Sequence, residues 1–195
     1  MIITEISGVI PKVYQDQVES DLSSPDMPWS FHEEIARGGS GFDISFPGFS
    51  HMAYLTDDHE PTITPVSSML LPILYVFCEK ANLEFRALLR IRVGLFPRTN
   101  SNVAHHNPHV DFSQPHYTAV YYVNDCDGDT YVFNETVDDV SVASSAEQAN
   151  HGRFSVAGTV SPKKGKMACF DGRHYHASSY PAAAAKRIAV TFNFV

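Results

Sequence analysis

From residue 87 onward the hydrophobic positions gather in short runs of β-type composition: ALLRIRVGLF, YTAVYYVND, DTYVFNE, GRFSVAG, GKMACFD and RIAVTFNFV. Turn signals such as Asp127-Gly128 and a polar stretch from Thr136 to Gly152 separate them. Several short strands at this spacing predict an all-β sandwich or barrel. The expected architecture is mainly β with flanking helices, as a double-stranded β-helix of the jelly-roll or cupin-like kind.

The first half reads differently. MIITEISGVI predicts a strand, and the Gly-, Pro-, Ser- and His-rich segment from Ser23 to Asp58 predicts loops and short strands. Thr64-Pro65 opens VSSMLLPILYVFCEKAN, a run of helix formers with proline at its first turn, predicted to end near Asn82. Pro72 is expected to kink or divide that helix. At 195 residues the chain suits one domain, with 1–86 as strands, loops and a supporting helix and 87–195 as the β core that carries the chemistry.

Composition narrows the class. A hydrophobic fraction of 44% with 18% charged residues is that of a globular chain. The longest apolar run, MLLPILYVF, contains Pro72 and is too short to span a bilayer, so no membrane partner is expected. The N-terminus has no basic start or small-residue cleavage site, and Cys78, Cys126 and Cys169 form no CxxC pair. Free thiols in a reducing, cytoplasmic compartment are the expectation. A net charge of −8 makes a nucleic-acid partner an unfavourable reading, because phosphate binding rests on Lys and Arg. The charge is uneven: 7 basic and 21 acidic residues precede position 153, while residues 153–195 hold 7 basic and one acidic. A solvated basic face explains such a tail by default; a pocket for a small anion is the functional alternative.

The candidate chemistry lies in NPHVDF, where His109 and Asp111 stand two positions apart. In extended backbone, i and i+2 share a face, so the imidazole and the carboxylate converge. FDGRHYHASSYP offers His174 and His176 at the same spacing. Two histidines and one carboxylate make the facial triad of non-haem iron sites, which leaves positions open for cosubstrate and oxygen. Arg187 opens RIAVTFNFV, 11 residues after His176, where its planar fork can meet the far end of an anion chelated at the metal. Tyr122 and Thr191 can add hydroxyl donors to the same anion.

HVD, YYVN, the distal FDGRHYH and RIAVTFNF, in that order, resemble the iron(II)- and 2-oxoglutarate-dependent oxygenases, in particular their prolyl-4-hydroxylase-like branch, over residues 87 to 195. The resemblance implies His109, Asp111 and His176 as metal ligands, with His174 as a supporting or substrate-side group. It implies Arg187 as the partner of the distal carboxylate of 2-oxoglutarate, and Tyr122 and Thr191 as auxiliary donors. Phe96 stands where relatives often carry a tyrosine. The implied cofactors are Fe(II), 2-oxoglutarate as cosubstrate and O2, with ascorbate supportive. The implied reaction is hydroxylation of an unactivated C–H bond with release of succinate and CO2. YYVNDCDGDTYVFNE also resembles small phage-encoded members, for which the compartment would be the host cytoplasm.

The primary substrate stays open between a peptidyl proline, a free amino acid, another small molecule and a nucleobase. Two other functions compete: a zinc-dependent hydrolase, which leaves Arg187 without a purpose, and a non-catalytic binding module on a jelly-roll fold. His105, His106, Asn107 and Arg98 are expected to line the mouth, with Trp29 and the Gly-rich region near residue 40 as a lid. NDCDGDT reads as a hairpin with Gly128 at positive φ, not as a calcium loop. His116 and His151 read as ordinary surface or loop residues, and KKGK at 163 to 166 as a solvated turn.

Overall fold

A computed structural model describes residues 2–35, 46–56, 60–100, 103–138 and 154–195. Its elements follow the order β1 (Thr4–Ile6), α1 (Lys12–Leu22), β2 (Ser30–His32), β3 (Gly48–Leu55), β4 (Thr62–Ile63), α2 (Pro65–Ala81) and β5 (Leu88–Pro97). Then come β6 (Tyr117–Tyr122), β7 (Thr130–Thr136), β8 (Val156–Val160), β9 (Met167–Asp171), β10 (His174–Ser178) and β11 (Lys186–Phe194). The larger sheet has strand order β1-β9-β6-β11-β5-β3-β2, with β4 against β3; the smaller has order β10-β7-β8. This mainly β architecture, with two helices beside it, is the jelly-roll arrangement expected.

Strand parity divides the larger sheet into two working faces. Ile91 and Val93 of β5, Ala119 and Tyr121 of β6, Met167 and Cys169 of β9, and Ile188, Val190, Phe192 and Phe194 of β11 join one core with Leu70, Ile73, Leu74 and Phe77 of α2. The alternate residues face the other way, where Val120, Tyr122, Ala168, Phe170 and Ala189 meet Val132 and Val160 of the smaller sheet. A third cluster, with Phe133, Tyr175 and Ala177, gives the smaller sheet its own apolar packing. Both faces of the central strands are therefore buried. That explains why β11 buries both its apolar residues and the polar Arg187 and Asn193.

Several details depart from the sequence reading. Helix α2 is not divided at Pro72. The missing hydrogen bond and ring clash cost about 3 kcal/mol, but four side chains on this helix are fully buried, and that burial outweighs the penalty. Asn82 ends α2 in the left-handed conformation, φ 52°. Helix α1 was not anticipated, although Tyr14, Val18 and Leu22 repeat every fourth residue behind Pro11, and Val18 and Leu22 are buried. The N-terminal strand shrinks to three residues, and β3, within the segment expected to hold loops and short strands, is eight residues long. It pairs with β5 from Phe49↔Leu95 to Leu55↔Arg90, so the first half of the chain extends the same sheet as the second.

The segment around Asp127-Gly128 is not a hairpin. Strand β6 pairs with β9 and β11, whereas β7 pairs with β10 and β8, so the turn carries the chain from one sheet to the other. Positive φ among the described glycines falls at Gly8 and Gly165, not at Gly128. Gly128 is needed for closeness: a Cβ there would stand 2.6 Å from Ser179 O and 3.0 Å from Pro181 N. The acidic side chains are occupied by backbone donors. Asp127 accepts from the N–H groups of Ala182, Ala183 and Ala184, which holds its carboxyl below the usual range, and Asp125 accepts from Lys164 N–H. In the KKGK turn, Lys164 pairs with Asp16 and Glu19 of α1, and Lys166 with Glu5 of β1.

Phe77 lies at the centre of the helix–sheet core with no exposed surface. Phe77→Ala is expected to lower the unfolding free energy by about 3–5 kcal/mol, read as a shift of the urea midpoint at unchanged slope.

Candidate metal centre and its cavity

The chain segment before Asp111 adds itself to the free edge of β10. His109 and His176 exchange both backbone hydrogen bonds, at 3.0 and 2.9 Å, and His106 N–H donates to Ser178 O at 2.7 Å. This pairing places His109 directly opposite His176. Asp111, two residues further on, brings its carboxylate 4.0 Å from His109 Nε2 and 3.7 Å from His176 Nε2. The three donor atoms lie within 4.8 Å of one another, and among the described residues no fourth His, Cys, Asp or Glu joins them. The structure thus brings His109, Asp111 and His176 together.

His174 is not in the group. A β-bulge between His174 and His176 breaks the i, i+2 alignment, and the His174 ring donates instead to Phe133 O at 2.8 Å. Its backbone carbonyl has a different use, since it accepts from His176 Nδ1 at 3.1 Å. Asn107 O does the same for His109 Nδ1, also at 3.1 Å. A carbonyl can only accept, so both Nδ1 atoms carry a proton, and both Nε2 atoms face the cluster. Burial, followed by the charge of His176, pushes the His109 pKa down to about 4, so that its lone pair is available at neutral pH.

Asp111 is fixed from behind. Arg90 forms an ion pair with Oδ1, and Asn193 Nδ2 donates to Oδ2 at 2.9 Å. Arg90 Nε also donates to Asn193 Oδ1 at 2.9 Å, which closes the triangle. Burial alone would raise the Asp111 pKa, but Arg90, His176 and His109 outweigh it and hold the carboxyl well below its ordinary value. The network continues through Asn193 to Thr118 at 3.0 Å and from Thr118 to His116 at 3.2 Å. His116 is accordingly buried, at 5% exposure, rather than an ordinary surface histidine. Arg90, Asn193 and Thr118 were invisible to motif reading. Polar residues at inward positions of otherwise apolar strands were their only signal.

The cavity extends from this cluster along β5 and β11. Arg90, Arg92, Gly94 and Phe96 line it from β5, and Arg187, Ala189 and Thr191 from β11. Arg187 is buried at 3% exposure. Its Nε donates to Gly128 O at 2.8 Å and its Nη2 to Thr130 Oγ1 at 2.9 Å. Its guanidinium carbon stands 5.7 Å from the Phe96 ring centre and 5.8 Å from that of Tyr122. Tyr122 does not line the cavity; its hydroxyl donates to Thr130 Oγ1 at 2.9 Å, and burial raises its pKa to about 12. Thr130 thus accepts twice, which leaves its own proton to donate into the cavity that it lines. Sequence reading missed it.

Of the expected mouth residues, His106 lines the cavity, packed edge-on against Phe96 with its Nε2 unpartnered. Asn107 is buried, and Arg98 reaches away to Ala183 O. His105 packs tilted against Tyr131 and edge-on against Phe133. Trp29 packs against the main core rather than standing clear as a lid; the Gly-rich region near residue 40 and His151 lie outside the described residues.

No protein-family model matches this chain, and no curated protein matches it. Solved structures do. A non-heme alpha ketoglutarate dependent epimerase, SnoN, from nogalamycin biosynthesis aligns over 100% of this chain and 78% of its own, at TM-score 0.64 and 12% identity. A Pseudomonas putida prolyl-4-hydroxylase aligns over 99% and 91%, at TM-score 0.56 and 14% identity. An oxidoreductase of the 2OG-Fe(II) oxygenase family from Burkholderia pseudomallei aligns over 99% and 85%, at TM-score 0.63 and 11% identity. At these identities the shared property is the fold. No described helix is long and apolar enough to cross a membrane.

Two expectations follow from this geometry. His176→Ala should abolish iron(II) binding, while His174→Ala should keep most of it, since the carbonyl that orients His176 is backbone; calorimetric metal titration under anaerobic conditions separates the two. The second concerns acid stability. Burial, then Arg187, depress the His106 pKa from 6.5 to about 3, so the unfolded chain binds a proton that the folded chain refuses. Stability is complete above pH 6.5 and falls as pH drops toward 3, by up to about 1.4 kcal/mol per unit. Metal-free His106→Phe should show a shallower fall of Tm between pH 6.5 and 4.5 than the parent protein.

Proposed function

We propose that this protein is an Fe(II)- and 2-oxoglutarate-dependent dioxygenase that hydroxylates an unactivated C–H bond. The observation that carries the reading is the pairing of a three-donor metal cluster with a buried arginine in one cavity. His109, Asp111 and His176 supply two imidazoles and one carboxylate, the donor set of non-haem Fe(II) sites with open positions. A structural zinc site would close its fourth position with protein, and a zinc hydrolase gives Arg187 no anion to bind. With iron, 2-oxoglutarate and oxygen bound, the centre would supply an oxidant for C–H bonds, with succinate and CO2 as coproducts.

The chain's own groups have separate tasks. Asn107 O and His174 O orient the two imidazoles, and Arg90 and Asn193 aim the carboxylate. Arg187 presents its remaining Nη1 to the distal carboxylate of 2-oxoglutarate, with the Thr130 hydroxyl as a second donor. Tyr122 acts at one remove by fixing Thr130. Thr191, on the same wall, borders the cosubstrate between the two ends. Phe96 covers the guanidinium where relatives are expected to offer a tyrosine hydroxyl, so affinity for the carboxylate depends on Arg187 and Thr130 more heavily.

Two structurally similar proteins support hydroxylation as the outcome, being prolyl hydroxylases from Pseudomonas putida and Trichoplax adhaerens. The latter was solved with a hypoxia inducible factor peptide fragment. The epimerase and a carbocyclase from nogalamycin biosynthesis share the fold, so the substrate must be read from this chain's own cavity. Free Cys78, Cys126 and Cys169 fit a reducing, cytoplasmic setting.

Loss of Arg187 would leave a desolvated carboxylate without its partner, which costs about 2–5 kcal/mol. Arg187→Ala is therefore expected to raise the KM for 2-oxoglutarate by at least about tenfold with iron affinity nearly unchanged, and Arg187→Lys to recover part of the loss. Succinate release under Fe(II), ascorbate and oxygen reads the effect. An unchanged KM would remove the cosubstrate assignment.

A further inference from the structure

Arg92 stands out once the roles above are assigned. It lines the metal cavity from β5, two residues from Arg90 and directly across the ladder from Thr191. Arg90 is committed to Asp111 and Asn193, and Arg187 to Gly128 and Thr130. Among the described residues the Arg92 side chain makes no hydrogen bond and no ion pair, its backbone being paired in the sheet. Its surroundings work against its charge: burial, then Arg90, lower its pKa, and Asp111 only partly restores it.

The charge balance of the cavity points the same way. Among the described residues, three guanidinium groups line it, and Asp111 is the only carboxylate. Under the proposed reading, a divalent metal and a dianionic cosubstrate still leave two positive charges in excess. Holding an uncompensated cation out of bulk water costs free energy unless an anion completes the site. The cosubstrate's own carboxylates are already accounted for, one at the metal and one at Arg187. The Arg187 position pairs with Phe96, four residues along β5 from Arg92, or about 13 Å of strand. Arg92 therefore sits at the metal end of the cavity, where the reacting part of a substrate must enter.

We propose that Arg92 is the recognition group for an oxyanion on the primary substrate, so that the enzyme acts on a C–H bond near a carboxylate or a phosphate. A planar fork suits either group through paired N–H donors. This inference deepens the dioxygenase reading and rests on it. It favours a small acid, or a peptide with an acidic side chain near the reacting carbon, over a neutral prolyl segment.

The test uses the full-length protein loaded with Fe(II) and 2-oxoglutarate under anaerobic conditions, and compares it with Arg92→Met and Arg92→Lys. The visible charge-transfer band of the Fe(II)–2-oxoglutarate complex reports cosubstrate binding. Acetate and methyl phosphate are the probes for the substrate subsite, with binding read from the perturbation of that band and from the rise in Tm. The parent protein should bind at least one probe, and the preferred probe identifies carboxylate or phosphate as the source. Arg92→Met should weaken that probe by at least about tenfold while its 2-oxoglutarate affinity stays within about twofold of the parent's; Arg92→Lys should fall between. If neither probe binds the parent, or if both bind Arg92→Met equally well, the inference is overturned. If Arg92→Met loses 2-oxoglutarate affinity as Arg187→Ala does, Arg92 belongs to the cosubstrate, and the substrate inference falls while the dioxygenase reading stands. Absence of the band in the parent protein would instead overturn the dioxygenase reading itself.

Discussion

Everything in this molecule depends on the two-residue period of β5 and β11 in the larger sheet. Ile91, Val93, Ile188, Val190, Phe192 and Phe194 enter the core against α2, which commits Arg90, Arg92, Phe96, Arg187, Thr191 and Asn193 to the opposite face. A slip of one residue would put guanidinium groups among fully buried apolar side chains and turn the apolar row toward the cavity. Hydrophobic packing on one face therefore fixes the chemistry on the other. The helix core is the reason that the arginines have a fixed address.

The smaller sheet supplies the counterpart. Strand β10 accepts the His109 segment along its edge, and the backbone exchange between His109 and His176 sets the spacing of the two imidazoles before any metal is present. The bulge beside His174 removes a competing imidazole from the same face. Asp111 comes last in this assembly and is held by the larger sheet, through Arg90 and Asn193. The cluster thus bridges the two sheets, with imidazoles anchored to one and the carboxylate to the other. Ligand preorganisation and sheet packing are one constraint, and the buried Asn193–Thr118–His116 chain passes it further into the β6 side.

The distal end is built by different means. Gly128 has no side chain because Ser179 O and Pro181 N occupy that space, and its carbonyl is thereby brought to Arg187 Nε. Asp127 in the same turn gathers the N–H groups of Ala182 to Ala184 and so fixes the loop that leads into β11. The acidic turn is not a hairpin; it is the clasp that positions the arginine. Thr130 at the turn's exit then receives both Arg187 and Tyr122, which gives the proposed carboxylate site a rigid back wall.

Local spacing was enough to find much of this. The i, i+2 rule joined His109 to Asp111, short β-type runs marked most of the core strands, and the length of the segment after Thr64-Pro65 marked α2. Such features depend on neighbours in sequence, so the amino-acid order contains them. Features created by neighbours in space were not legible. The bulge that separates His174 from His176 follows from pairing with β7, and the passage of Asp127-Gly128 between sheets follows from which strands β6 and β7 choose as partners. Continuity of α2 through Pro72 reflects burial that no local propensity records. Thr130, Arg90, Arg92 and Asn193 became part of the site only when strands distant in sequence aligned in register. The sequence by itself determined the periodicities, the turn residues and the donor types available; which donors share one cavity, and which cation there is left without a partner, was decided by tertiary packing, because long-range pairing sets both distance and desolvation.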